Sequence, residues 1–463
     1  MTQGKDVAVA ISGGGHRATV FGLGALLAVT DSELNKQTTS ISSVSGGSIA
    51  NAIALTGPDF GTTNSAAFEV HIAKSLRAIS SRGLLLGGAP ATKAYLRVLV
   101  LSLVAGVVGL VTTLIAALLR CWVVTAIAGA VGLIGLAFGW WLLRQRALRT
   151  ERAIDAELLG GKHLTMADMK AQKSSVHHVI CTTELQTGEP FYFTNRAVYG
   201  YRFGGNTGDV GVALATAVQA SCCVPGMFNP RVVPLKSLGV HPPFNREHVQ
   251  SKDIANIVLV DGGVYDNMSD QWEHGITSRM KSWDELVKIQ PDRAHFLIVV
   301  NGSGGWNDPK PVGLSGPSLE LNGLLRSQAV QYDRSTSDRR QALYSIFRHS
   351  ETDAAEEKLD GVFAQITDSP YRIPQLFVRG SDAKAQRAKQ ALEFLNQHYN
   401  EAEWDAIVKR TAGTATTLAK LGPDLSTELL EHGYVLTMIN MFVLHDKCAL
   451  RAVDRAHLRS LCE

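Results

Sequence analysis

An α/β fold with a central, mostly parallel sheet and flanking helices is predicted by three features of this 463-residue sequence. Short runs of strand type recur at 7–11, 39–44, 177–181, 256–260 and 295–300, a length that suits strands buried inside a sheet. The first two runs each end in a turn of small residues from which a helix departs. Residues 17–30 carry Leu23, Leu26 and Leu27 at helical spacing, and 48–55 is a helix of small residues. Finally, strands and helices alternate, and parallel neighbours need such a crossover to bring the chain back to the same end of the sheet.

The N-terminus enters its first strand within six residues, without a charged n-region and cleavage site and without Met-Gly. Neither a signal peptide nor myristoylation is expected. Beyond about residue 383 the sequence reads as helices over 383–398, 401–421 and 425–444. The expected organisation is a catalytic α/β domain from 1–95 and 150–382, an insertion at 96–149, and a helical C-terminal region at 383–463. Charged residues make up 19% and hydrophobic ones 45%, a balance that supports a packed core. A net charge of +3, with no Lys/Arg-rich run and no zinc spacing, argues against a nucleic-acid partner. The six cysteines form no regular framework and read as free thiols in a reducing compartment.

The insertion holds two uncharged runs, 98–119 and 121–143, separated only by Arg120. As helices they cover about 33–35 Å, enough for a hydrocarbon core of about 30 Å. Trp122 stands near one end, Trp140 and Trp141 near the other, where amphipathic rings settle at an interface. Lys93 and Arg97 precede the first run, and Arg144, Arg146, Arg149 and Arg152 follow the second. Basic residues at both feet predict an integral membrane hairpin, spanning or deeply inserted through residues 98–143, with the catalytic domain facing the cytoplasm. Gly106, Gly109, Gly129, Gly132, Gly135 and Gly139 suit close helix contact, within the hairpin or in self-association.

Three turns carry candidate chemistry. Ser12-Gly-Gly-Gly-His-Arg17, between a strand and a helix, presents backbone N–H groups at a positively polarised helix start. Such a turn holds a phosphate or the oxyanion of an acyl-transfer intermediate. Gly13, Gly15 and Ala18 also satisfy the dinucleotide fingerprint, but the second strand ends without the acidic residue that a ribose requires. It ends instead in Ser43-Val-Ser45-Gly46-Gly47-Ser48, a serine on a sharp strand-to-helix turn among small residues, with Ser43 where a first glycine is usual. The third turn is Asp261-Gly262-Gly263, an aspartate released from the end of a buried strand. Together they supply a nucleophile, oxyanion donors and a base.

In this order the motifs resemble those of the patatin-like phospholipases. The similarity extends to Cys181-Thr-Thr-Glu-Leu-Gln-Thr-Gly-Glu-Pro-Phe-Tyr-Phe193, to Ala220-Ser-Cys-Cys-Val-Pro-Gly-Met-Phe228 and to Leu297-Ile-Val-Val-Asn-Gly-Ser303. It covers roughly 6–95 and 175–305. The resemblance implies a patatin-like α/β fold and a Ser–Asp dyad hydrolase of (phospho)lipid esters, with no cofactor, no metal and no catalytic histidine. Carried over residue by residue, it implies Ser45 as nucleophile and Asp261 as base. Gly13, Gly14, Gly15 and Gly46 become oxyanion donors, and Arg17, Gly47, Gly262 and Gly263 supporting residues. His16, the pair His177-His178 and the pair Cys222-Cys223 are read as structural. Competing readings are a membrane-tethered nucleotide-binding protein using Gly13–Ala18 and a scaffold whose hydrolase fold is vestigial. A phospholipase fixed on its own membrane calls for gating, expected from the 236–252 loop or from the helical C-terminal region.

Overall fold

A computed structural model describes residues 6–84, 90–241, 254–275, 294–304, 317–349 and 359–463. The expected gating loop lies largely outside them, at 242–252. Among the described residues ten strands join in one sheet. They are β1 (Val7–Ile11), β2 (Thr38–Val44), β3 (His177–Glu184), β4 (Pro190–Thr194) and β5 (Val198–Gly200). They continue as β6 (Gly204–Asn206), β7 (Arg231–Pro234), β8 (Asn256–Asp261), β9 (Phe296–Asn301) and β10 (Asp360–Gln365). The order β10-β9-β1-β2-β3 is parallel throughout, and β4, β5 and β6 extend it antiparallel from β3. Every residue of β1, β2 and β3 is buried, which explains why these strands do not alternate between apolar and polar.

The register around β3 places the rest. Its first half pairs with β2, from Ser40 opposite His177 to Val44 opposite Cys181. Its last residues pair with β8 running the other way, Thr182 opposite Asp261 and Glu184 opposite Leu259. The other edge of β3 is taken by β4. So β2 and β8 approach each other end to end along one edge of β3, and their final residues meet there.

Helix α1 (Gly15–Asp31) is buried from Gly15 to Thr30, and α2 (Gly46–Leu55) is buried throughout. The C-terminal helix Pro423–His445 covers α1 and is itself mostly buried. Their backbones approach at two glycines: a Cβ on Gly24 would strike the carbonyl oxygen of Leu430, and one on Gly433 that of Phe21. The helices Ala383–His398, Glu401–Gly413 and Arg455–Cys462 contribute to the same hydrophobic core as β1 and α1. The expected helix 401–421 stops at Gly413. Gly and the β-branched Thr414, Thr416 and Thr417 are poor helix formers, and the carbonyls of Thr414 and Thr417 are bonded instead to Arg17 and His16. Three features were not anticipated from the sequence: the antiparallel extension, β10, and the 33-residue helix Pro317–His349.

After α3 (Ser65–Ser81) come the two apolar helices, α4 (Pro90–Leu118) and α5 (Trp122–Arg144), then α6 (Arg146–Ala153). The chain reverses at Arg120, whose φ is 57°. The helices lie against each other through their glycines: a Cβ on Gly109 would come within 2.6 Å of Gly132 Cα, and one on Gly135 within 2.8 Å of Gly106 N. Gly106, Gly109, Gly132 and Gly135 thus serve the close contact inside the hairpin. Outward-facing side chains such as Leu101 (66%) and Ile134 (69%) are exposed. Both helices are long and apolar enough to cross a membrane.

The α1 contact gives a direct test. Gly24→Ala is expected to lower stability by about 1–3 kcal/mol, because backbone must move to admit the methyl group. Gly323→Ala, where the added carbon meets nothing, should leave stability unchanged or raise it by up to about 1 kcal/mol. Thermal unfolding of the two variants in detergent measures the difference; equal midpoints would refute the close contact.

Candidate active site

The end of β2 leads directly into the N-terminus of α2 through Ser45, whose φ of 52° and ψ of −121° are unusual for a residue with a side chain. The turn is held from behind. Ser45 N–H donates to Ser221 Oγ at 2.9 Å, and Ser221 Oγ donates to Cys181 O at 2.6 Å. Ser48 Oγ lies 2.9 Å from the same hydroxyl. Ser221 was not singled out from the sequence, although it stands inside the Ala220–Phe228 motif. Gly47 lets α2 approach β1, since its N–H donates to Ser12 O at 3.1 Å and a Cβ there would strike Ile11 O.

Asp261 ends β8 and starts a single 3-10 turn, Gly262–Val264. Its Oδ1 accepts from Gly263 N–H at 2.8 Å, and its own N–H donates to Cys223 O at 3.0 Å. Its Oδ2 is buried without a hydrogen bond of ordinary geometry. Burial pushes the carboxyl up to about 7, against smaller lowering effects of the Gly263 N–H and the adjacent Ser45 side chain. Ser45 and Asp261 are therefore neighbours, as β3's register requires. Hydrogen bonds of such pairs are commonly loose before substrate binds. The Cys222 thiol lies against both and is pushed far up, chiefly by burial and next by the Asp261 charge, so it stays neutral.

The glycine-rich turn sits beside the elbow. Gly14 caps α1 at φ 138°, and Gly15 follows at φ 61°. A Cβ on Gly46 would strike Gly15 O, so the N-termini of α1 and α2 come together. The N–H groups of Gly14, Gly15 and Gly46 have no backbone partner among the described residues. Gly13 differs: its N–H donates to Asn267 O at 3.0 Å, so the three remaining amides are the ones open to an anion. Asn267, four residues beyond Gly263, was missed by the sequence reading; its Nδ2 donates to Ser303 Oγ at 2.9 Å and ties the third turn to the end of β9.

His16 and Arg17 face away from this cluster and bind the segment 414–419. His16 N–H donates to Thr417 O at 2.9 Å, and its Nδ1 lies 2.8 Å from Ala419 O. Burial lowers the imidazole to about 4, keeping it neutral, and the Ala419 bond offsets this only in part. Arg17 donates to Gly302 O at 2.9 Å, to Thr414 O and to Thr416 Oγ1. Burial lowers its guanidinium to about 10. Its contacts are with Gly302, just past β9, and with the 414–416 stretch. His177 and His178 lie within β3, and His178 Nδ1 pairs with Asn51 Oδ1 at 2.7 Å.

Comparison with known proteins bears on this geometry. A family model described as patatin-like phospholipase matches residues 9–269. Human GIVD cytosolic phospholipase A2 aligns with 99% of this chain and 60% of its own, at 13% identity and a TM-score of 0.44. VipD from Legionella pneumophila aligns with 98% of this chain and 94% of its own, at 11% identity and a TM-score of 0.27. This chain thus spans about three-fifths of the length of the human enzyme, and structural likenesses at these scores add no argument. No curated protein matches the chain. The family match covers more than half of the sequence and all three turns through Asp261, and with it the chain belongs to the patatin-like phospholipase family.

Proposed function

We propose that this chain is a membrane-anchored serine hydrolase of lipid acyl esters that works through Ser45 and Asp261. The observation that carries the reading is the meeting of a serine on a strained turn with a buried carboxyl whose pKa lies near 7. A base is most effective when its pKa is close to the working pH. In this reading Ser45 Oγ attacks the ester carbonyl and its proton passes to Asp261 Oδ2, the oxygen with no other partner. The oxyanion takes the N–H groups of Gly14, Gly15 and Gly46, at two helix N-termini whose partial positive charge favours it. Collapse expels the lipid alcohol, which leaves with the proton from Asp261. Water, deprotonated by Asp261, then attacks the acyl-enzyme, and Ser45 Oγ leaves with that proton as the fatty acid is released. Gly13 serves by admitting Asn267, and Arg17 by fixing the turn.

Anchoring suits this chemistry, because a substrate confined to the same bilayer is met at high effective concentration. The α4–α5 hairpin supplies the anchor in this reading. Its basic residues at both feet favour a cytoplasmic catalytic domain.

The dyad is tested by fatty-acid release from phospholipid vesicles. Ser45→Ala and Asp261→Asn should each reduce the rate by at least about 10³-fold, and wild-type kcat/KM should rise as pH increases through about 7, where Asp261 ionises. Release that survives Ser45→Ala would sink the mechanism.

Stability gives a separate reading of the same carboxyl. Because its folded pKa lies above the unfolded value, the fold loses stability as pH rises from about 4 to about 7. Asp261→Asn should therefore raise the unfolding midpoint at pH 8 and change it little at pH 4. An equal effect at both would mean that the carboxyl is not held up by burial.

Anchoring is checked by alkaline carbonate extraction of membranes containing the full chain. Retention in the pellet is the expected result, and complete release would reduce the hairpin to a peripheral or soluble element.

A further inference from the structure

Where α5 ends, the chain turns at Gln145 into α6, and a cavity of about 670 Å³ opens between this foot and the β7–β8 edge. The volume is in the range of sites that hold small organic ligands. Its lining includes the apolar Trp140, Leu143 and Val232 and the basic Arg144, Arg146 and Arg231. The carboxylate paired with this group is Glu151, 2.5 Å from the Arg231 guanidinium and also bonded by Thr216 Oγ1 at 2.9 Å. Arg146 spends one nitrogen on Asn229 Oδ1 at 3.2 Å. The Nε–H groups of Arg146 and Arg231 are buried beside the Glu151 carboxylate.

Three guanidinium groups facing one carboxylate leave a positive excess. The planar fork of arginine matches the oxygens of a phosphate. The position identifies the anion's carrier. Trp140 is 63% exposed, and Arg144 lies over its ring at 5.9 Å, an arrangement suited to the depth where head groups give way to acyl chains. We propose that this cavity binds an anionic phospholipid, its phosphate between Arg146 and Arg231 and its acyl chain along Trp140, Leu143 and Val232. The inference rests on the reading that the α4–α5 hairpin lies in a bilayer.

The site connects to the hydrolase through covalent and hydrogen-bonded neighbours. Cys223 Sγ donates to Asn229 O at 2.8 Å, and Cys223 O accepts the N–H of Asp261. Val258, on the cavity wall, lies on the strand that ends at Asp261. A lipid bound here braces the segment behind the base, so the composition of the surrounding membrane bears on the activity.

The experiment uses the full chain in phosphatidylcholine proteoliposomes, alone or with phosphatidylserine, either lipid brominated in its acyl chain. The signal is the tryptophan quenching that Trp140→Phe removes. Brominated phosphatidylserine is expected to quench Trp140 more strongly than brominated phosphatidylcholine at equal mole fraction. Arg146→Gln with Arg231→Gln should reduce that preference at least about tenfold, while Arg149→Gln with Arg152→Gln, an equal charge loss on α6 away from the cavity, should leave most of it. Equal quenching by the two lipids would overturn the proposal, as would equal losses in the two double variants. Displacement of the preference by inorganic phosphate would assign the cavity to a soluble anion and also overturn it. If the glutamine pair does not fold, the wild-type lipid and phosphate comparisons decide alone. Flotation and Ser45-dependent ester hydrolysis are recorded on the same samples. A chain that fails to float ends the anchoring reading and this one with it. A chain that floats and hydrolyses but shows no preference ends this one only.

Discussion

Two strands that end against each other on a shared neighbour set the constraint on which the rest of this structure depends. β3 outruns β2, and β8 pairs with its remaining length from the opposite direction. The backbone at Val44 and at Asp261 must then leave the sheet at one place, and each leaves by the tightest route available. For β2 this is Ser45 at positive φ, and for β8 it is the 3-10 turn of Gly262 and Gly263. The burial that raises the Asp261 carboxyl follows from the same arrangement, since a group at this junction is enclosed by β3 and the elbow. Strain at Ser45 is repaid around it, by Ser221 behind the turn and by the close seating of Gly46 and Gly47.

The polar residues next to the site divide by what they touch. Ser221, Asn267 and Cys222 touch the turns that carry Ser45 and Asp261. His16 and Arg17, although inside the glycine-rich motif, bind the 414–419 segment. A neutral imidazole and a buried guanidinium with three oxygen acceptors act here as structural groups, satisfying carbonyls that would otherwise be left without donors. Residues remote in sequence thereby fix the shape of the glycine-rich turn.

Much of this was legible in the sequence because β1, α1, β2, α2 and β8 carry strong local signals: short strand-type runs, small-residue turns and helical leucine spacing. The hairpin was legible from length and composition. What was not legible fails for identifiable reasons. β5 and β6 are three residues each, too short for any periodicity, and β10 is an isolated edge strand next to a polar stretch. The helix Pro317–His349 is long but mostly polar, and apolar residues at helical spacing stand only toward its ends, at Leu321, Leu324 and Leu325 and at Leu343, Ile346 and Phe347. The helix expected to run to 421 ended at Gly413, where threonines follow; the sequence held that signal, but the purpose of the break, a partner for His16 and Arg17, is visible only in three dimensions. Ser221 and Asn267 gave no signal of their own, because a serine in a helix and an asparagine after a turn are ordinary until their neighbours are known. The spent N–H of Gly13 could not have been foreseen without Asn267.

The grip of residues 414–445 on the first turn and helix also orders events in time. A chain is made from its N-terminus, so the apolar hairpin leaves the ribosome some 270 residues before the segment that holds His16 and Arg17 in place. The two hairpin helices are complete while α1 still lacks its covering helix and the glycine-rich turn its strap. In the anchored reading proposed above, a nascent molecule meets the bilayer before its glycine-rich turn is set, and the turn is completed only once residues 414–445 have been made.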